Sequence, residues 1–98
     1  MDFKIRYLNG FETDLMEAID WYKNISSKNA INLLADIEDA IHSLSRNPLL
    51  FQKVNSRVRK ANLKVYPYKI VYKIIKGELV IVALAHHKRH PKYWKKRK

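Results

Sequence analysis

Cysteine is absent from this sequence of 98 residues, and glycine (two) and proline (three) are scarce. Without cysteine there is no disulfide, no thiolate metal site and no thiol nucleophile, a composition that suits the reducing cytoplasm. Gly10 and Gly77 alone cannot build a glycine-rich phosphate loop. Long hydrophobic runs are also missing: the longest, Leu79 to Ala85, has seven residues, against the roughly 20 that a membrane-spanning helix needs. The opening Met1-Asp2-Phe3-Lys4 lacks a basic region followed by an apolar stretch, so no secretion signal is expected. With 47% apolar and 30% charged residues, the expectation is one soluble cytoplasmic domain over residues 1–98 that buries roughly 60–65% of its unfolded surface.

Negative charge is nearly missing from the second half. Residues 1–50 carry five basic and eight acidic side chains, whereas residues 51–98 carry fifteen basic and one acidic, within a formal net charge of +11. A field of one sign attracts polyanions, and nucleic acid or a nucleoprotein is the most economical partner because each phosphate neutralised releases a counterion. A solvated lysine-rich face is the competing explanation, and an acidic protein that masks the patch is a third, compatible with the first.

The periodicity divides the chain in the same place. Phe3 to Tyr7 alternates as a short strand, and Asn9-Gly10 reads as a turn. From about Thr13 to Asn24, Leu15, Ala18, Ile19 and Tyr22 fall at helical spacing with Asp14, Glu17 and Asp20 on the other side. After Ser26-Ser27-Lys28, a second helical pattern runs through Ala30, Leu33, Leu34, Ile37, Ile41 and Leu44 until Asn47-Pro48. Beyond it the period becomes two. Residues 57–63, 65–75 and 79–85 read as strands, with Lys76-Gly77 as a two-residue hairpin turn. The expected architecture is α+β: an N-terminal strand, an antiparallel helix hairpin, then a three-stranded antiparallel meander with the helices packed on one sheet face. A basic tail is expected from about residue 88.

That turn sets Lys69 opposite Leu84 and His86 opposite Pro67 on one face, and His87 with Tyr66 on the face carrying Ile70 and Ile81. A slip of one residue would exchange the faces.

Chemistry-bearing residues gather after the last strand, in His86-His87-Lys88-Arg89-His90-Pro91-Lys92-Tyr93-Trp94. Metal-free RNA cleavage needs a base, an acid and fixed cations for the phosphorane charge, and His, Tyr, Lys and Arg fill those roles. Tyr93 or Trp94 is also suited to stacking on an unpaired base. Phosphate or target binding falls to Arg57, Arg59, Lys64, Lys73, Lys88, Lys92 and Trp94. Adjacent His86 and His87 point to opposite faces of a strand, so no metal is expected, and no cofactor. Asp36 and Asp39 read as an exposed helix face, Trp21 and Tyr22 as core or interface packing, and His42 as structural.

Three stretches together resemble the ParE/RelE superfamily of type II toxins: Ala18-Ile19-Asp20-Trp21-Tyr22; Tyr66-Pro67-Tyr68-Lys69-Ile70-Val71-Tyr72; and the His86 to Trp94 run above. The resemblance spans nearly the whole chain. It implies a bacterial growth-inhibiting toxin neutralised, in a hetero-oligomer, by a cognate antitoxin with an acidic or amphipathic segment. Two mechanisms diverge within the superfamily. RelE-like members cut mRNA on the ribosome, and the matching positions here are Lys60, Lys69, Arg89 and Tyr93, with His87 nearby. ParE-like members act on DNA gyrase and need no catalytic site. The Pro-Tyr-x-Ile-x-Tyr strand and the His-x-Arg-x-Pro ending look closer to the ParE-type branch. Lys69 stands where the ribonuclease branch more often has Arg, which loses the planar bidentate grip on phosphate. A member of the fold that only binds antitoxin or nucleic acid is the third possibility.

Overall fold

The computed structural model describes residues 3–97. Its elements run β1 (Lys4–Tyr7), α1 (Asn9–Ile25), α2 (Ser27–Arg46), β2 (Gln52–Lys53), β3 (Val58–Asn62), β4 (Tyr68–Ile75), β5 (Glu78–His86) and α3 (Lys92–Lys95). The meander β3-β4-β5 forms as expected. It is extended on one side by the two-residue β2 and on the other by β1, which lies parallel to β5, giving a five-stranded mixed sheet of order β1-β5-β4-β3-β2.

The helix hairpin turns on a single residue. Ser26 is extended, its N–H closes α1 on the Tyr22 carbonyl, and its hydroxyl accepts from Asn29 N–H at 3.0 Å to cap α2. Asn9-Gly10 is not a turn; both residues lie in the first turn of α1, which starts four residues earlier than the apolar spacing alone indicated. At the other end of the hairpin, Asn47 closes α2 and Pro48 follows, where a proline ring disfavours further helix.

Phe11 and Ala18 from α1 and Leu33, Ile37 and Leu44 from α2 pack on Ile70, Tyr72, Leu79, Ile81 and Leu84 of the sheet. Each fully buried Leu or Ile contributes roughly 1.5–3 kcal/mol. Tyr72 carries its hydroxyl into this core and donates to the Pro48 carbonyl at 2.6 Å, and burial pushes its phenol up to about 12. Of the core or interface packing expected of Trp21, its 64% exposure excludes the core, and one expectation is corrected outright: His42 is exposed rather than structural.

Asp36 is buried as well, against the expectation of an exposed acidic face. Its carboxylate accepts N–H bonds from Lys64 (3.1 Å), Val65 (2.9 Å) and Tyr66 (3.0 Å). These hold the bend before β4, which is why that strand begins at Tyr68 and not at Val65. Three backbone donors satisfied by one carboxylate weld α2 to the β3-β4 connection.

The Lys76-Gly77 turn has φ of 48° and 78°, both in the left-handed region that a two-residue hairpin of this hand requires. From it the register runs Ile75↔Glu78 to Tyr72↔Ile81, and then slips: Val71 faces Ala83, leaving Val82 as a bulge. Beyond the bulge, Lys69 faces Ala85 rather than Leu84, and His86 faces Tyr68 rather than Pro67.

Replacing Asp36 by alanine is expected to cost about 3 kcal/mol, and by asparagine about half of that, since an amide keeps one acceptor oxygen. Urea unfolding followed by circular dichroism measures both, and an alanine variant within 1 kcal/mol of the parent, roughly the worth of one neutral hydrogen bond, would refute the weld.

Candidate functional site

Strand β1 covers β5 only as far as Ile81, where Leu8 N–H donates to the Ile81 carbonyl. Residues 82–86 would then present an open edge with unpaired backbone groups. Three side chains close it. Asp14 Oδ2 accepts from Leu84 N–H at 3.1 Å. Arg97 Nη1 donates to Asp14 Oδ2 at 2.7 Å and to the Val82 carbonyl at 3.0 Å, while Nη2 reaches Asp14 Oδ1 at 3.2 Å. The Tyr93 hydroxyl donates to the Leu84 carbonyl at 3.1 Å.

Asp14, expected on the outer side of its helix, is 6% exposed. Its bond to Arg97 is the main cause that raises the guanidinium above the usual arginine range. Gly10 makes room for it: a Cβ there would lie 2.5 Å from Arg97 Nε.

The segment expected as a basic tail from about residue 88 folds back at residues 91–97. Trp94, assigned to target binding, is only 3% exposed and packs with Leu8, Val71, Val80, Val82, Ala83 and Ala85 on the sheet face away from the helices. It cannot stack on a base from there. Tyr93 lies under two cations, with the Arg89 guanidinium 3.8 Å and that of Arg97 4.9 Å from its ring centre. Its phenol is pushed up to about 12, by burial first and then by Asp14.

The bulge exchanges the two histidines. His86 turns to the helix side, edge-on to Tyr68 at 5.2 Å, in a cavity of about 200 Å³ shared with Asp14, Glu17, Trp21 and Arg89. His87 turns to the opposite face instead of joining Tyr66 and Ile70. There it meets the field of Lys69 and Lys60; local desolvation, then Lys69, His86 and Lys60, hold it below the usual histidine range. Lys69 is itself lowered, by burial and then by Lys60. The five candidate catalytic residues thus form two groups: Lys60, Lys69 and His87 on the open sheet face, and Arg89 with Tyr93 at the β5 edge.

The assigned binding residues also divide. Arg57, Arg59 and Lys73 come together with Lys53 and Lys76 in a cleft of about 530 Å³ at the turn end of the sheet. Lys64, Lys88 and Lys92 are exposed and lie outside that cleft. Among the described residues, no three His, Cys, Asp or Glu side chains meet as a metal site would need, and no helix is long and apolar enough to cross a membrane.

A protein-family model described as "ParE toxin of type II toxin-antitoxin system, parDE" matches residues 5–91. The chain belongs to the ParE toxin family. The matched span runs from β1 to the start of the folded-back C-terminal segment of this ParE-family toxin. In the same vein, its fold is similar to a solved chain titled "Chromosomal ParDE TA system from P. aeruginosa", with a TM-score of 0.75, 16% identity, and coverage of 86% of this chain and 95% of that one. At that identity the likeness speaks for the fold. A search of curated proteins found no match.

Two outcomes are expected. Breaking the edge closure with Arg97→Met should cost about 3 kcal/mol, because Asp14 stays buried without its partner. Gly10→Ala should destabilise the parent by displacing Arg97, yet stabilise the Arg97→Met variant by up to about 1 kcal/mol through helix propensity. Equal effects of Gly10→Ala in both backgrounds, measured by urea unfolding, would refute the steric link. Separately, Lys69→Gln should raise the His87 titration midpoint toward the ordinary histidine value, because it removes a neighbouring positive charge. An NMR pH titration of the imidazole protons checks this, and an unchanged or lower midpoint would refute the assignment of His87 to that face.

Proposed function

We propose that this ParE-family toxin is held by a cognate antitoxin and, when released, arrests growth by acting on DNA gyrase without cleaving phosphodiester bonds itself. The supporting observation is the separation of the candidate catalytic residues. Acid and base must both stand within about 2.6–3.2 Å of the protons they move. His87 has the lowered pKa of a base, but Tyr93, the candidate partner, commits its proton to the Leu84 carbonyl and is pushed up to about 12. Arg89 is stacked on Tyr93 and not directed at the Lys60–Lys69 group. Of the positions that would serve RNA cleavage, Tyr93 is occupied in closing the β5 edge and Arg89 in covering its ring.

The antitoxin reading rests on family membership and on charge. A half-chain with fifteen basic residues against one acidic residue is suited to an antitoxin segment that is acidic or amphipathic. A ribosome-dependent mRNA endonuclease is the second reading, and one observation favours it: His87, Lys60 and Lys69 are grouped, with His87 held below the usual histidine range by desolvation and by the neighbouring cations.

The test is a plasmid-cleavage assay with purified gyrase and the full-length toxin. The expected result is linear and nicked DNA trapped on gyrase at undiminished levels in His87→Ala and Tyr93→Phe. In cells, labelled thymidine incorporation should then fall before labelled methionine. Loss of methionine incorporation first, abolished by Lys69→Ala and His87→Ala, would overturn the proposal in favour of the ribosome.

A further inference from the structure

The cleft at the turn end of the sheet is built from charge of one sign. Lys53, Arg57, Arg59, Lys73 and Lys76 line it, and no acidic side chain does. The ion pairs among the described residues, Arg6 with Glu78 and Arg97 with Asp14, involve none of these five. Two features pre-order the site. Arg59 is anchored by Nη1, which donates to the carbonyls of Leu49 (3.1 Å) and Phe51 (2.7 Å). Asn55 Oδ1 accepts from the N–H groups of Arg57 and Val58 and so shapes the loop that carries Arg57.

From Lys73 the cations continue onto the sheet face away from the helices, whereas Lys53 and Arg59, which pair with each other and with Tyr72, stand on the helix side of the cleft. Lys73 lies on the same sheet face as Lys60 and Lys69, since Lys73 pairs with Val58, Lys60 with Val71 and Lys69 with Asn62. From Lys69 to Lys76 the stripe extends roughly 23 Å along β4 and its turn. A compact anion would fill the cleft alone, whereas a stripe of this length fits a polymer with regularly spaced negative charge. The floor of the cleft is Leu49, Ile74 and Ile75, and none of its lining residues is aromatic. Single-stranded nucleic acid is held largely by bases stacked on aromatic rings. Trp94 is buried, and Tyr93 is covered by Arg89. A surface with phosphate contacts and no stacking platform suits the backbone of a duplex.

We infer that the cleft of Lys53, Arg57, Arg59, Lys73 and Lys76, continued by Lys60 and Lys69, binds the phosphate backbone of double-stranded DNA without sequence preference. The inference deepens the gyrase reading by naming a nucleic-acid contact made by the toxin itself. It is testable in the absence of gyrase, so either can fail alone.

The experiment is fluorescence anisotropy of full-length toxin with a duplex of about 20 base pairs over a salt series. The variant Lys53→Gln/Arg57→Gln/Lys76→Gln spares the anchored Arg59. The control Lys23→Gln/Lys28→Gln/Arg46→Gln removes the same charge from the helices. The cleft variant should bind about tenfold or more weakly at 0.1 M salt, with a salt slope shallower by about 2.7, or 0.9 per lost contact. The control should change affinity by less than about threefold. Lysine acylation of the unmutated toxin, which needs no variant to fold, should show Lys53 and Lys76 protected by duplex and Lys23 and Lys28 not. Equal losses in the two triple variants, tighter binding of the single strand, equal binding of poly-glutamate of matched charge, or no protection of Lys53 and Lys76 would each overturn the inference. The poly-glutamate result would point instead to an acidic protein segment as the occupant.

Discussion

The Asp14–Arg97 ion pair is the contact on which the arrangement of this ParE-family toxin depends. It joins residues 83 positions apart and sits where β5 outruns its neighbour β1. Sheet edges expose backbone donors and acceptors that other chains can pair with. Here the carboxylate takes the Leu84 N–H, the guanidinium takes the Val82 carbonyl, and the pair neutralises itself. The placement of residues 91–97 goes with that bond. They lie back over the sheet, with Trp94 seated against Val80 and Val82 and Tyr93 under Arg89. Gly10 belongs to the same device, because a methyl group at its position would occupy the space of the guanidinium.

A second carboxylate does a similar job at the other helix. Asp36 collects the three N–H groups of residues 64–66, a stretch that has no strand partner to satisfy them. The two buried acids thus consume part of the little negative charge that the chain has. Their burial leaves the exposed surface more lopsided than the composition indicates. Among the described residues the other acidic side chains lie on the helices, apart from Glu78 at the start of β5, which pairs with Arg6, and the sheet face and turn end carry most of the lysine and arginine. That division bears on function more than any single residue does, because attraction for a polyanion is the sum of many weak terms concentrated on one side.

The chemistry that a basic tail with histidine and tyrosine promises depends on what those groups have left to give. Tyr93 spends its proton on Leu84, Arg89 its planar face on Tyr93, and Trp94 its ring on the second core. Residue types consistent with RNA cleavage are therefore used in holding the fold together. His87, Lys60 and Lys69 remain on the far face, with His87 held below the usual histidine range by desolvation first and then by Lys69, His86 and Lys60.

The helix hairpin, the meander, its Lys76-Gly77 turn and the asymmetry of charge were legible in the sequence, since each follows from local period, turn chemistry or counting. So was the family resemblance, through motifs that lie contiguous in the chain. The inward turn of two acids was less so, although a signal exists: Asp14 falls between Phe11 and Ala18, and Asp36 between Leu33 and Ala40, at spacings of three and four that belong to the apolar stripe. Whether a carboxylate on such a stripe finds partners is settled by chain segments far away, which periodicity does not see. Tertiary structure alone decided which histidine faces the cations, because one bulged residue at Val82 reverses every side chain beyond it on β5. It also decided the fate of the last residues, where a run of basic side chains reads as solvated until a buried carboxylate across the sheet is there to hold Arg97.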